Sequence, residues 1–174
     1  MRNVNERVLH HLGRIHENGK EKAHKAMSEL LEKILSQNNM NAAYKKVCAN
    51  KGAGGVDNVT VEELGDYIKE NWESIREQIR RREYKPQPVR RVEIPKPDGG
   101  ARKLGIPTVM DRVIQQGIVQ VISPMCEPMF SEWSYGFRPN RSCEMAVRQL
   151  LVYLNEGYEW IVDIDLERFF DNVP

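Results

Sequence analysis

The sequence has little cysteine and no long apolar run, and both shortages limit the classes of protein that it can encode. Its three cysteines are widely spaced and form no Cys-x-x-Cys pair, so neither a disulfide framework nor a zinc site is predicted. No apolar stretch approaches the roughly 18 residues of a membrane-spanning helix, and the amino terminus lacks the apolar core of a signal peptide. We therefore expect a cytoplasmic protein with no membrane partner.

Histidine is also scarce, and all four histidines lie in the polar stretch before residue 25. A solvated helix explains them better than a metal site does. The whole chain has the 40% apolar and 29% charged residues of a soluble globular protein. Its 174 residues are enough for one domain with a real core.

The net charge of +1 hides a local excess of basic residues between positions 76 and 103. This segment holds ten basic and four acidic residues, which leaves an excess of six positive charges. Such an excess is a candidate binding surface for a polyanion. A solvated charged face is the alternative that a charge run by itself favours.

Most of the chain has the apolar spacing of helices, and several of them have recognisable ends. Helices are predicted over residues 1–25, from Ser28, after Asn41, over 111–127 and after Ser142. The clearest one follows a capping box formed by Thr60 and Glu63 and continues to Ile79. Gly157 is expected to end the last helix.

Residues 86–107 predict a β-hairpin, because apolar and charged residues alternate on either side of the turn signal Pro-Asp-Gly-Gly at 97–100. If the hairpin is symmetric about Gly99, Lys96 and Arg102 stand opposite each other. Two facing cations repel each other, so a bound polyphosphate would explain their pairing.

Two other segments contain candidate functional residues. The segment NKGAGGVDN, residues 50–58, holds three glycines in four positions and predicts a flexible loop. It is not a phosphate-binding loop, because no Gly-Lys-Ser/Thr follows it. Residues 160–166 predict a buried strand that carries Asp163 and Asp165 on one face.

Carboxylates at the end of a strand suit Mg²⁺, which prefers hard oxygen ligands. An Asp-x-Asp pair alone is a weak motif, and many such pairs lie on surfaces or cap helices. Together with the cations of the hairpin, however, it makes up the set of groups that phosphoryl transfer on a triphosphate uses.

Four ordered motifs in this chain resemble those of bacterial group II intron reverse transcriptases, which are also called maturases. They are NKGAGGVDN, YKPQPVRRVEIPKPDGGARKLGIPTVMDRVIQQ, SYGFRPNRS and VDIDLERFFDNVP. The resemblance extends from about Ser28 to Pro174. It implies an RNA-directed DNA polymerase that also binds intron RNA and assists its splicing and mobility.

The resemblance also implies an α+β fold, the fingers of a reverse transcriptase (helices plus a β-hairpin) with the first strand of the palm. The predicted segments are a helical N-terminal extension at 1–27, fingers helices at 28–87, the fingers hairpin with further helices at 88–158, and the start of the palm at 159–174. The glycine-rich loop at 50–58 would be a lid within the second segment.

The last motif resembles the first catalytic motif of reverse transcriptases, in which a bulky aromatic follows a metal-binding Asp by five residues. This spacing selects Asp165 and Phe170. The resemblance implies that Asp165 and the Leu166 carbonyl hold Mg²⁺, with two ions in the complete enzyme. Phe170 would be a steric gate that favours deoxynucleotides, and Asp171 a neighbouring pocket residue. Asp163 remains the alternative metal ligand.

Further residues resemble the groups that contact nucleotide and template. Lys96 and Arg102 resemble the clamp on the incoming triphosphate. Template or RNA contacts are implied for Arg90, Arg91, Lys51, Gly52, Gly54 and Gly55. For Arg138 and Arg141, packing within their loop is at least as good an interpretation as RNA contact.

The expected partners are group II intron RNA, an RNA template with a DNA primer, and a deoxynucleoside triphosphate. The family's Asp-Asp turn is absent, because none of the seven aspartates adjoins another. We therefore expect a fragment that does not polymerise by itself, and whose exposed apolar surface favours a homodimer. The alternatives are a non-enzymatic RNA-binding splicing cofactor and a reverse transcriptase of the retron or diversity-generating type.

Overall fold

A computed structural model describes residues 25–95, 97, 99–166 and 169 of the chain. The chain divides into two compact units, Met1–Met125 and Cys126–Pro174, which are described separately as the first and second unit. Of the predicted N-terminal extension, 1–27, only the last three residues lie within the described part.

The described part of the first unit contains four helices, and two of them start earlier than predicted. Helix α1 covers 25–34, α2 Gln37–Ala49, α3 Leu64–Arg80 and α4 Val109–Cys126. The prediction that Ser28 begins a helix is wrong, because the three residues before it, all good helix formers, are already helical. Helix α2 begins directly after Ser36, whose backbone is extended, and not after Asn41.

Local sequence fixes both ends of α3. The predicted capping box is confirmed, since the Thr60 N–H donates to Glu63 Oε2 at 3.0 Å and the Glu63 N–H donates to Thr60 Oγ1 at 3.3 Å. At the other end Arg82 takes a left-handed backbone with φ of 61°. The Glu83 N–H then bonds to the Gln78 carbonyl at 2.8 Å, which satisfies one of the last free carbonyls.

The core of the first unit lies where α2, α3 and α4 meet. Its buried side chains are Met40, Ala43 and Val47 of α2, Leu64 of α3, and Val109 and Val113 of α4. The three residues of α2 recur at steps of three and four, which places them on one face of the helix. Val109 of this core is the first residue of α4, and it lies three residues after the end of β2 in the hairpin.

The two strands of the first unit form a hairpin, as the sequence predicted. Strand β1 is Arg90–Pro95 and strand β2 is Ala101–Ile106, and they pair in antiparallel orientation. Arg90 and Ile106, which pair at the base, are half-buried, whereas every other strand residue is exposed. The two arms therefore extend from the helices with both faces exposed.

The register of the hairpin differs from the predicted one. Arg102 pairs with Ile94, so the hairpin is centred on position 98 and not on Gly99. The prediction that Lys96 stands opposite Arg102 is therefore wrong. Gly99 has a left-handed φ of 84°, and in longer hairpin loops a left-handed glycine follows the turn instead of occupying its centre.

The second unit contains a short 3₁₀ helix, Glu127–Met129, and helix α5, Cys143–Asn155. The predicted ends of α5 are confirmed. Ser142 Oγ accepts a hydrogen bond from the Met145 N–H at 3.3 Å, and Gly157 follows the helix with φ of 94°. No residue of α5 is buried.

The buried strand predicted over 160–166 is not formed. These residues are exposed and have no regular secondary structure. A strand takes its backbone hydrogen bonds from a neighbouring strand, and in the described part only β1 and β2 pair. The helices and the two-stranded antiparallel sheet agree with the predicted α+β class. Among the described residues, no helix combines the length and the apolarity needed to cross a membrane.

Candidate nucleic-acid and nucleotide interface

The exposed arms of the hairpin carry cations that form no ion pair with described residues. Arg91 lies on β1, and Arg102 and Lys103 lie on β2. The arms hold one acidic residue, Glu93, which pairs with Lys103 in the register. Exposed cations on a projecting element raise the local positive potential, so these arms suit a polyanion.

The remaining basic residues of the segment 76–103 are partly neutralised. At the end of α3, Arg76 pairs with Glu73 at 3.5 Å, Arg80 with Glu32 at 2.7 Å and Arg81 with Glu77 at 2.9 Å. The hydrogen bond from the Arg80 guanidinium holds the pKa of Glu32 below its ordinary value. The charge excess that the sequence indicates is therefore concentrated towards the hairpin.

A single buried carboxylate, that of Asp111 in the first turn of α4, connects the segments at the base of the hairpin. Its Oδ1 accepts a hydrogen bond from the Tyr84 hydroxyl at 2.6 Å. Its Oδ2 accepts from the Thr108 hydroxyl at 2.7 Å and from the Gln87 N–H at 3.1 Å. Asp111 is only 3% exposed. Burial and this hydrogen bond raise the pKa of Tyr84 well above its ordinary range, so Tyr84 stays protonated and donates.

The glycine-rich loop at 50–58 packs against the same junction. The Arg112 Nη2 donates to the Ala53 carbonyl at 2.6 Å. A Cβ added to Gly55 would lie 2.6 Å from the Cα of Thr108, which is closer than van der Waals contact permits. Glycine at position 55 therefore lets the loop approach the β2–α4 connection.

The other predicted loop residues lie beside this contact. A Cβ on Gly54 would lie 2.8 Å from the Val59 carbonyl oxygen, and Gly52 lies against the Arg112 guanidinium. Lys51 is exposed and has a positive φ of 47°. The close approach of the Val59 carbonyl alone therefore explains why position 54 is a glycine. Contact of this loop with a template strand stays a prediction.

Arg90 occupies the base of β1, opposite Ile106. Its side chain is half-buried, and its Nε is buried with no hydrogen-bond partner among the described residues. Its role in supporting a template stays a prediction.

The predicted metal ligand Asp165 lies in the second unit and is exposed. Its Oδ1 accepts a hydrogen bond from the Leu166 N–H at 2.9 Å. Asp163, the alternative ligand, is exposed as well. The described residues contain no group of three or more His, Cys, Asp or Glu side chains that could hold a metal ion.

Three predicted site residues lie outside the described part of the chain. They are Lys96 in the hairpin loop, and Phe170 and Asp171 after the Asp165 segment. Their roles in binding the nucleotide stay predictions.

The loop of the SYGFRPNRS motif is held by Arg138, whose side chain is only 8% exposed. It binds Glu127 at 2.7 Å, donates to the Ser131 and Ser134 carbonyls, and lies over the Phe130 ring. Packing within the loop therefore accounts for Arg138. Arg141 lies 5.5 Å from the centre of the Tyr135 ring.

The first unit also has an open groove of about 570 Å³, lined by α2, α3 and the start of α4. Its lining includes Met40, Tyr44, Trp72 and Arg76, and it contains none of the predicted site residues. Size alone therefore does not identify the functional surface of this unit.

Sequence reasoning missed the junction around Asp111. One signal was available, because Thr108 and Asp111 have the spacing of a helix N-cap and its third residue, and the Asp111 N–H indeed donates to Thr108 Oγ1 at 3.1 Å. No local pattern links Tyr84 to Asp111, which lies 27 residues further along the chain.

Comparisons with known proteins agree with these observations. Residues 94–174 match the family described as reverse transcriptase (RNA-dependent DNA polymerase). The chain is 34% identical over 153 residues to Protein YkfC of Escherichia coli, a match that covers 84% of this chain and 40% of that protein.

Two relatives come from introns. The group II intron-encoded protein LtrA of Lactococcus lactis is 32% identical over 163 residues, which cover 93% of this chain and 27% of that protein. The putative COX1/OXI3 intron 2 protein of Saccharomyces cerevisiae is 29% identical over 174 residues, 98% of this chain and 20% of that protein. The chain thus spans less than half the length of these relatives.

The hairpin, the helices around it and the match over residues 94–174 make this part of the chain similar to the reverse transcriptases. Its ordered motifs and its similarity to a group II intron-encoded protein agree with a group II intron reverse transcriptase. Reverse transcriptases in general use divalent metal ions, for which Asp165 is a chemically suitable ligand.

Proposed function

We propose that the protein carrying this chain is an RNA-directed DNA polymerase that also binds group II intron RNA and assists its splicing and mobility. The observation that carries the proposal is the projecting hairpin, whose exposed arms bear cations that pair with no described acidic residue, above a buried, hydrogen-bonded base. Such an element suits the triphosphate of an incoming deoxynucleotide. The polymerase family match over 94–174 supports the same assignment.

In this proposal Arg102 and Lys96 neutralise the triphosphate as it binds. Arg102 is exposed and pairs across the hairpin with Ile94, so its cation is accessible to a bound polyanion. Arg90, Arg91, Lys51 and the glycines at 52, 54 and 55 contact the template or intron RNA. The affinity for RNA should therefore decrease as the salt concentration rises, as it does where cations contact phosphates.

Asp165 serves as a metal ligand, and the Leu166 carbonyl assists it. When bound, Mg²⁺ supplies charge neutralisation at the reacting phosphates and at the primer hydroxyl. Phe170 restricts the space beside the sugar and so favours deoxynucleotides over ribonucleotides. The proposal also gives Asp171 a role in binding the nucleotide.

The test is primer extension on an RNA template with Mg²⁺ and deoxynucleotides, by the complete protein and two matched variants. Asp165→Asn removes the proposed ligand, and Asp163→Asn removes an exposed carboxylate two residues away. We expect extension by the wild type and by Asp163→Asn, and none by Asp165→Asn.

The other outcomes distinguish the alternatives. Loss of extension in Asp163→Asn alone would transfer the ligand role to Asp163. If even the wild type fails to extend but binds intron RNA, the protein is a non-enzymatic splicing cofactor. Extension without binding to intron RNA would instead indicate a reverse transcriptase of the retron or diversity-generating type.

The proposal includes a bacterial cytoplasmic location and self-association of the 174-residue chain. Exposed apolar side chains of the second unit, such as Leu151 and Trp160, motivate the self-association. Sedimentation of the isolated chain at increasing concentration tests it, and a constant monomeric mass would contradict it.

A further inference from the structure

The direction in which the hairpin points is determined at its base. Beyond the Arg90–Ile106 pair, every described residue of its two strands is exposed. The described helices of the first unit therefore bury neither face of the arms. Whatever holds the hairpin in place must act on the segments that enter and leave it.

Asp111 holds both of these segments. Tyr84 and Gln87, which donate to its carboxylate, lie on the segment that enters β1. Thr108, the third donor, lies on the segment that leaves β2. The carboxylate is buried, so each bond acts in a low dielectric and is not exchanged with solvent.

Neighbouring residues stiffen these connections. Pro86 and Pro88 flank Gln87, and Pro107 precedes Thr108, so the backbone has few free torsions on either side of the carboxylate. A Cβ on Gly105 would lie 2.8 Å from the Val89 side chain, which shows how closely the two arms approach at the base.

The glycine-rich loop is joined to the same point. Gly55 lies against the backbone of Thr108, and Arg112, the next residue after Asp111, donates to the Ala53 carbonyl at 2.6 Å. A movement of the first turn of α4 would therefore displace the loop and the hairpin together.

We propose that Asp111 is a positioning residue that fixes the hairpin and the glycine-rich loop as one rigid element, so that the Arg102 cation meets the nucleotide triphosphate. The proposal rests on the function proposed above and extends it to a residue that does not touch the substrate. Six residues of strand span roughly 20 Å, so a tilt of about 10° at the base moves the far end by about 3 Å. Misplacement of a binding group by about 1 Å can cost about a hundredfold in rate.

The first test is the steady-state kinetics of primer extension by the complete protein. Asp111→Ala removes all three bonds, and Tyr84→Phe removes one bond with little change of shape. Tyr67→Phe is the control, because the hydroxyl of Tyr67 forms no hydrogen bond with described residues. We expect the KM for deoxynucleotide to rise about tenfold in Asp111→Ala and several-fold in Tyr84→Phe, with no change in Tyr67→Phe.

Asp111→Asn provides a conservative rescue. Its amide can face the Tyr84 hydroxyl, which then accepts, while its oxygen keeps the bonds from Thr108 and Gln87. We expect its KM to lie near that of the wild type. A merely structural role would lower the amount of folded enzyme, and thus the apparent kcat, with KM unchanged in Tyr84→Phe, and that result would overturn the proposal.

A second measurement does not depend on polymerase activity. Spin labels at Glu93→Cys on the hairpin and Lys45→Cys on α2, in a chain whose three cysteines are replaced by serine, report the distance between the two elements. We expect a narrow distribution that broadens in Tyr84→Phe and not in Tyr67→Phe.

The two measurements separate failure of this inference from failure of the proposed function. If the wild-type protein is inactive but the distance distribution broadens in Tyr84→Phe, the polymerase function is refuted and the positioning role of Asp111 is retained. If the wild-type protein is active and Tyr84→Phe changes neither the distance distribution nor KM, the positioning role of Asp111 alone is refuted.

Discussion

The two compact units differ in how they use their apolar residues. All ten buried apolar side chains in the described structure belong to the first unit, and six of them form the core where α2, α3 and α4 meet. Helix α5 of the second unit buries none of its residues, and Leu151 and Leu154 are 52% and 42% exposed. The second unit nevertheless carries Asp165. Stability and catalytic chemistry are therefore expected to depend on different parts of the chain, and mutations should separate them.

The largest effect is expected from Asp165→Asn in the complete protein. It should reduce primer extension on the order of a thousandfold, because one charged ligand of the proposed metal site is lost. The unfolding midpoint of the isolated chain should not change, since Asp165 is exposed and, among the described residues, its carboxylate bonds only to the adjacent N–H. A large fall in that midpoint would show that this segment contributes to stability.

Leu64→Ala should have the opposite pattern, with a large loss of stability. Leu64 is 0% exposed in the core, and removing such a side chain typically costs about 2–5 kcal/mol. The matched control is Leu151→Ala in α5, where the same truncation should cost less than about 1 kcal/mol because the side chain is half exposed. Urea unfolding measures both, and equal costs would contradict the contrast between the units.

Gly55→Ala tests the close contact between the loop and the β2–α4 connection. The added methyl would lie 2.6 Å from the Thr108 Cα, and forced overpacking typically costs about 1–3 kcal/mol. Gly136→Ala in the second unit is the control, because an added Cβ there meets nothing within 4 Å. Identical unfolding midpoints for the two variants would mean that the loop moves away freely.

The smallest effect concerns the cap of α3 and depends on pH. Hydrogen bonds from the Thr60 N–H and hydroxyl lower the pKa of Glu63 below its ordinary value of 4.5. A lowered folded-state pKa stabilises the protein above the unfolded value, and the stabilisation is lost as pH falls through the folded value. The melting temperature of Glu63→Gln should therefore lie slightly below that of the wild type at pH 7, and the difference should shrink as the pH falls below 4.5. A constant difference would exclude the ionised cap as its cause.

Some features of the candidate site have causes that lie close together in the sequence, whereas others depend on contacts between distant residues. The hairpin and its cations could be predicted, because alternation and the Pro-Asp-Gly-Gly signal act within about twenty residues. The residue that pairs with Arg102 across the hairpin could not be predicted, because the register depends on the position of the left-handed Gly99 in the loop. The strand at 160–166 was wrongly predicted because apolar alternation indicates a preference, whereas a strand exists only beside a partner.

The sequence by itself determined the features whose causes lie a few residues apart. These are the capping box at Thr60, the cap and the terminal glycine of α5, the presence of the hairpin and the ordered motifs that resemble those of reverse transcriptases. Tertiary structure alone decided the rest, because its causes join distant residues. Tyr84 reaches Asp111, Gly55 reaches Thr108, and Arg80 reaches Glu32 only when packing of the helices brings their segments together.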